Sequence, residues 1–292
     1  MEDVQSYSDT RRIEIDRVGV RGLRYPIQVL DRDRGMQETV ATISMAVRLP
    51  HHFKGTHMSR FIEVLNGHRG EVTMRTLPSM LEDIRDRLDA RGARVEVRFP
   101  YFMERVAPVS EATSLMEYEC TLTAVIEGEA KDFTLGVNVP VTTLCPCSKA
   151  ISEYGAHNQR GYVEIAIRSR TKKDGRPELV WIEELVHIAE DSASSPVYPL
   201  LKRADERFVT MQAYDNPMFV EDLVREVSQK LRDDERVVWH RVVVETMESI
   251  HDHNAYAEVV WGGPDHEFAM SGPVASSNLK SLPSFVAPPG DG

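Results

Sequence analysis

The segment VTTLCPCSKAISEYGAHNQRGY runs from a strand-like stretch into Cys145 and Cys147, then through Lys149 to a loop holding His157, Asn158, Gln159 and Arg160. A thiolate and an imidazole are two of the roughly three protein ligands that a catalytic zinc-type site needs, the remaining position being left to water. Pro146 stiffens the link between the thiols. A free cysteine at a strand end also serves as a small buried hydrophobe, and a Cys-x-Cys pair lacks the doubled Cys-x-x-Cys clusters of a structural zinc module. Residue types alone leave metal, nucleophile and packing open.

Three further segments carry chemistry-bearing side chains. PLLKRADE sets Lys202 and Arg203 beside Asp205 and Glu206, a mixture suited to phosphate contact plus a carboxylate ligand, or equally to a solvated charge run. NPMFVED puts Glu221 and Asp222 in the first turn of a helix, where carboxylates also complement the helix dipole. SIHDHNAYA closes a strand with His251 and His253 at alternate positions, on one face of an extended chain. Imidazoles so paired can ligate a metal or move protons near neutral pH.

These groups need a scaffold, and the hydrophobic period describes one. Val40, Ile43, Met45, Val47 and Leu49 mark an extended stretch, followed by FIEVLNGH and by Leu77, Leu81, Ile84 and Leu88 at helical spacing. Val95, Val97 and Phe99 alternate, as do Tyr118, Cys120, Leu122 and Ile126, and the turn EGEAK leads into Phe133 to Val141. Val163, Ile165 and Ile167 then alternate, and Ile182, Leu185, Val186 and Ala189 form a stripe. A stronger helix is expected to open at Asn216 as cap, with Pro217 at its first position and Val220, Leu223, Val224, Val227 and Leu231 inward. Period two returns at Val237 to Val244 and from Ala255 to Trp261. The expectation is an α+β chain of two fused β-β-α-α-β-β-like halves, with antiparallel sheets and helices on one face. By this reading residues 1–12 are expected to form a flexible N-terminus, 13–110 and 111–271 the halves, the second carrying most of the site, and 272–292 a flexible tail.

Composition narrows the function class. Asp and Glu number 46 against 35 Lys and Arg, a formal charge of -11, which argues against a chain that coats nucleic acid. Charges or prolines interrupt every hydrophobic run and the first residues lack an apolar stretch, so neither a membrane span nor a signal segment is expected. Three cysteines, Cys120, Cys145 and Cys147, are too few for a disulfide framework, and a cytoplasmic protein with reduced thiols is the default.

LCPCSKAISEYGAHNQR resembles the type IB GTP cyclohydrolase family, and FKGTHMSRFIEVL (Phe53 to Leu65), LLKRADE, AYDNPMFVEDLVR and SIHDHNAYA match that family's pattern in order, from about Gly35 to Val260. The resemblance implies the tunnelling fold, a homotetramer with active sites at subunit interfaces, and metal-dependent conversion of GTP to 7,8-dihydroneopterin triphosphate and formate, the first step of folate or pterin synthesis. It implies that Cys145, His157 and Glu206 hold a divalent ion (Zn, Mn or Fe), that Glu221 anchors the guanine, and that His251 and His253 transfer protons. Cys147 stands beside the metal cysteine as ligand, proton donor or packing. The triphosphate falls to Lys149, Arg160, Lys202 and Arg203, with His52, Lys54, His57 or Arg60 contributed by a neighbouring subunit. Two rival functions remain: a cysteine-nucleophile enzyme of the nitrile reductase kind, which would need no metal, and a nucleotide- or pterin-binding subunit without turnover.

Overall fold

The computed structural model describes residue 7 and residues 9–68, 70–173 and 176–262. The strand β1 (Ile15–Asp31) folds back on β2 (Gly35–Leu49), and the helices α1 (Met58–Gly67) and α2 (Leu77–Arg87) follow. Next come β3 (Gly92–Val106), β4 (Thr113–Glu127) and β5 (Ala130–Leu144), the short helix α3 (Pro146–Ile151), β6 (Asn158–Ser169) and α4 (Ile182–Glu190). The chain closes with β7 (Ser195–Pro196), α5 (Arg203–Asp215), α6 (Val220–Asp233), β8 (Val237–Thr246) and β9 (Ala255–Gly262). The strands make one antiparallel sheet in the order β1-β2-β3-β4-β5-β6-β8-β9, with β7 paired to β5. The expected α+β class and antiparallel pairing are present. Among the described residues no helix is long and apolar enough to cross a membrane.

Alternation explains why these segments pair. In β5 Phe133, Leu135, Val137, Val139 and Val141 are buried, while the residues between them face the other side and keep partial exposure. The buried side chains of β2 to β6 and β8 join those of α1, α2, α4 and α6 in one continuous core, so these helices lie on one face of the sheet. Two buried carboxylates pin α4 to the strands of the first half. Glu183 and Glu190, two turns apart and so on one face, accept bonds from the hydroxyls of Tyr101 (2.6 Å) and Tyr118 (3.0 Å), which are cross-strand partners. Burial pushes Glu190 up despite the Arg105 guanidinium 2.5 Å away.

The order β1-β2-α1-α2-β3-β4 fills one β-β-α-α-β-β unit, which closes at Glu127. The expected division at 110/111 falls instead in the connection between β3 and β4. Within residues 1–12, Tyr7 and Asp9 are tied to the turn after β2: Asp9 N donates to His52 O (3.1 Å) and Lys54 N to Tyr7 O (3.0 Å). Residues 1–6, residue 8 and the tail 272–292 lie outside the described residues.

One helix start is corrected. Asn216 is the C-cap of α5, not the N-cap of α6, and α6 begins at Val220 after Phe219. Pro217 disfavours the helical conformation in the residue before it, so it ends α5 rather than opening α6. The Asp222 carboxylate accepts the Phe219 N–H at 3.4 Å.

Candidate active site

The strand β5 outruns β4 after Asn138, and its last residues are flanked by β6 and the two-residue β7. Leu144, buried at that end, is held at both backbone atoms. Its N–H donates to Ser194 Oγ (3.1 Å) and its carbonyl accepts Met218 N (3.0 Å). The next residue is Cys145. Its N–H donates to His157 O (3.1 Å), and it caps α3, its Sγ accepting Ser148 N (3.4 Å), with Pro146 at the first helical position. Ser148 Oγ closes the loop by donating to Cys145 O and accepting His157 N, each at 3.2 Å. Backbone geometry therefore brings the thiol and imidazole residues together across residues 145–157. Cys147 is exposed, one residue into α3.

His157 is half-buried, and its Nδ1 lies 2.9 Å from Gln159 Oε1 and 3.4 Å from Ser249 Oγ. Ser249 belongs to the connection between β8 and β9, which is anchored to β6 by Met247 N donating to Arg160 O (2.9 Å). His251 and His253 sit in that same connection rather than at a strand end. Their rings stack with centroids 5.1 Å apart and planes 21° apart, both exposed, with Asp252 Oδ1 3.5 Å from His253 Nδ1. It is the stacking that holds the two rings together, and Ser249 ties their loop to His157.

The acidic candidates divide. Asp205 is fully buried in the first turn of α5, where its carboxylate accepts Val109 N (2.8 Å), Ser110 N (2.8 Å), Ser110 Oγ (2.6 Å) and Lys202 N (2.7 Å). Burial pushes this carboxyl up, but those hydrogen bonds outweigh it and hold it well below the usual carboxylate range. Asp205 thus fastens α5 to the connection between β3 and β4. Glu206 beside it is exposed. Among the described residues no three His, Cys, Asp or Glu side chains converge closely enough to hold a metal. Within one chain Cys145 and His157 are neighbours, and Glu206 does not join them in a closed triple. Glu221 is exposed at the start of α6, three residues past the Met218 that bonds to Leu144.

The cations are also distributed unequally. The Lys149 ammonium donates to Tyr214 O and lies 4.3 Å from that ring's centroid, tying α3 to the end of α5. Arg160, Lys202 and Arg203 are exposed. Around the turn after β2, Lys54 lies over the Tyr7 ring (5.6 Å), His52 packs on Phe53 (4.4 Å), His57 stands at the N-cap position of α1 and Arg60 donates to Arg87 O (2.7 Å).

Comparison with known proteins gives this arrangement its family. A model described as type I GTP cyclohydrolase folE2 matches residues 1–257. The chain is 54% identical over 259 residues to the GTP cyclohydrolase FolE2 of Syntrophotalea carbinolica, covering 89% of this chain and 94% of that one. It is 54% identical over 257 residues to that of Methylococcus capsulatus (88% and 93%) and 52% over 260 residues to that of Pseudothermotoga lettingae (89% and 98%). Urate oxidase from Bacillus sp. TB-90 superposes with a TM-score of 0.51 at 7% identity, over 85% of this chain and all of that one, which shows the shared tunnelling fold and nothing about chemistry. The chain therefore belongs to the type I GTP cyclohydrolase folE2 family.

Proposed function

We propose that this chain hydrolyses GTP to 7,8-dihydroneopterin triphosphate and formate, as a cytoplasmic homotetramer that opens folate or pterin synthesis. The observation that carries the proposal is the bond between Cys145 N and His157 O, which brings a cysteine and a histidine residue opposite each other at a strand end braced on both sides. That donor pair fits a divalent ion of borderline character such as Zn²⁺, Mn²⁺ or Fe²⁺. With Nδ1 of His157 facing Gln159, Nε2 is the nitrogen left to ligate. Glu206 is the third ligand of the proposal, and its exposure on α5 leaves its carboxylate accessible. The ion, when bound, lowers the pKa of water toward neutrality and so makes a nucleophile available at physiological pH.

The protein's own groups do the rest. Glu221, a carboxylate with two acceptor oxygens, receives the ring N–H and amino group of guanine and fixes the base, which turns hydrolysis into an oriented event. His251 and His253, exposed and stacked, hand protons to and from the opening ring. Cys147, exposed near the start of α3, is a further proton donor in this reading. Lys149, Arg160, Lys202 and Arg203 receive the triphosphate, and of these Lys149 must first leave Tyr214. Leu200, Phe208, Met211, Tyr214 and Phe219 are exposed around α5, which supports a site that a neighbouring subunit covers.

The test is turnover of GTP, read by formate release and pterin fluorescence, after exhaustive chelation and after adding back single metals. Activity lost on chelation and restored by one of them is the expected result. Full activity in the chelated protein would replace the proposal with cysteine-nucleophile chemistry, and no formate under any condition would leave a binding subunit.

A further inference from the structure

Gln159, which sequence motifs do not single out from its neighbours, touches three other polar side chains, His157 two residues before it, Thr143 on β5 and Glu248 89 residues further along the chain. Its Oε1 lies 2.9 Å from His157 Nδ1, while its Nε2 donates to Thr143 Oγ1 (3.0 Å) and to Glu248 Oε1 (3.4 Å). Glu248 is itself placed by the buried Thr246, whose hydroxyl donates to the same Oε1 at 2.9 Å. The chemistry of these groups fixes a direction. An ionised carboxylate only accepts, so the side of the Gln159 amide facing Glu248 must be the NH₂. The carbonyl oxygen then faces the imidazole, and the ring nitrogen opposite it must carry a proton. Reversing the amide would set two oxygens against each other at Glu248, so it is this contact that fixes which end of the amide meets His157. Ser249 Oγ, 3.4 Å from the same Nδ1, can accept a share of that proton and does not oppose the assignment.

We propose that Gln159, oriented by Glu248, is a positioning residue that locks His157 in the Nδ1–H tautomer and so keeps the lone pair on Nε2 for a metal ion. Left to itself a neutral imidazole partitions between two tautomers, and only one of them presents a lone pair at Nε2. The hydrogen bond at the far nitrogen is what makes the choice and sets the ring's orientation. The consequence for metal binding rests on the function proposed above, whereas the tautomer does not.

The experiment separates the two. In the metal-free full-length protein labelled with ¹⁵N-histidine, the His157 resonances are assigned by their loss in His157→Gln. A protonated-type shift at Nδ1 and an unprotonated-type shift at Nε2 are expected in the native chain, with a tautomer mixture in Gln159→Leu. Cobalt(II) titration, followed by the thiolate-to-metal absorption of Cys145, supplies the second readout. Gln159→Leu is expected to weaken Co²⁺ binding about 10- to 100-fold. The double variant Gln159→Glu with Glu248→Gln keeps an acceptor at His157 and a donor opposite it, and is expected to bind within a few-fold of the native chain. An Nε2–H tautomer in the native protein, unchanged Co²⁺ affinity in Gln159→Leu, or equal losses in Gln159→Leu and the double variant would each overturn the inference. The expected tautomer together with no Co²⁺ binding by the native chain would remove the metal function and its link to Gln159, while the tautomer assignment would stand.

Discussion

A side chain's worth in this molecule depends on what the fold has already done with its polar atoms. Glu221 keeps its carboxylate exposed, and the half-exposed Cys145 thiol makes only one long bond, to Ser148 N, so their substitution should separate chemistry from folding. Cys145→Ala is expected to abolish bound metal and GTP turnover while the thermal midpoint stays within a few degrees, measured by elemental analysis and calorimetry, since only a half-exposed thiol is lost. Glu221→Gln should raise KM for GTP with metal content unchanged, and equal loss of both would move Glu221 to the metal. His240 is the opposite case. It is fully buried, its Nε2 lies 2.8 Å from Ser228 Oγ, and among the described residues its Nδ1 has no hydrogen-bond partner. Burial, with the Arg232 charge adding to it, lowers its pKa from 6.5 to about 4. The folded state thus favours the neutral ring. Its contribution is complete above pH 6.5, the unfolded value, and is lost as pH falls toward 4. The gap corresponds to about 3 kcal/mol. Urea unfolding of the native chain should therefore weaken more steeply than that of His240→Gln between those limits, and parallel curves would show that this histidine titrates normally.

At the scale of elements, α5 differs from the other long helices in what holds it. Only Asp205 and Ala213 are buried in it, so apolar packing gives it little, and Asp205 gives it much by satisfying three backbone N–H groups and the Ser110 hydroxyl. Asp205→Ala leaves those donors without their acceptor and is expected to cost about 3 kcal/mol. Amide exchange read by mass spectrometry should quicken through Arg203–Asp215 and the connection near Ser110 while β5 stays protected. The same peculiarity explains what the amino-acid pattern could and could not tell. The strands β3 to β6, β8 and β9 and the helices α2, α4 and α6 are legible because their apolar periods face the core of the same chain. In α5 the apolar residues Phe208, Met211 and Tyr214 face outward, so no inward stripe marks it as a helix. The first half of β1 is exposed and alternates weakly, and it too leaves little signal. Cys145 and His157 are legible as a pair because a short loop joins them. Gln159 and Glu248 are not, because their contact spans 89 residues of sequence and is made by the alignment of β6 with β8. Asp205 misleads for a related reason: a charge run on paper, it is an internal clamp in the fold.

Among the described residues the molecule is an open sheet with β1 and β9 at its margins and an outward apolar helix beside its candidate site. Such a surface asks to be covered. Light scattering should report a stable assembly of several copies, and Met211→Glu, which puts a charge among Phe208 and Tyr214, is expected to shift it toward smaller species with the fold of each copy retained. Turnover should fall with the assembly if a neighbour completes the site, and dissociated copies of full activity would confine the site to one chain.

The double restraint on Leu144 reaches beyond its own strand. One backbone residue receives the segment after α4 through Ser194 and the hinge between α5 and α6 through Met218, so three stretches of chain share a single fixed point immediately before the thiol. Their lengths cannot drift independently. An insertion in the Ser192–Tyr198 stretch or between Asn216 and Phe219 would free one arm of that junction and let the cysteine wander relative to the imidazole. Loop exchange with a relative therefore has to move both arms together, or move neither.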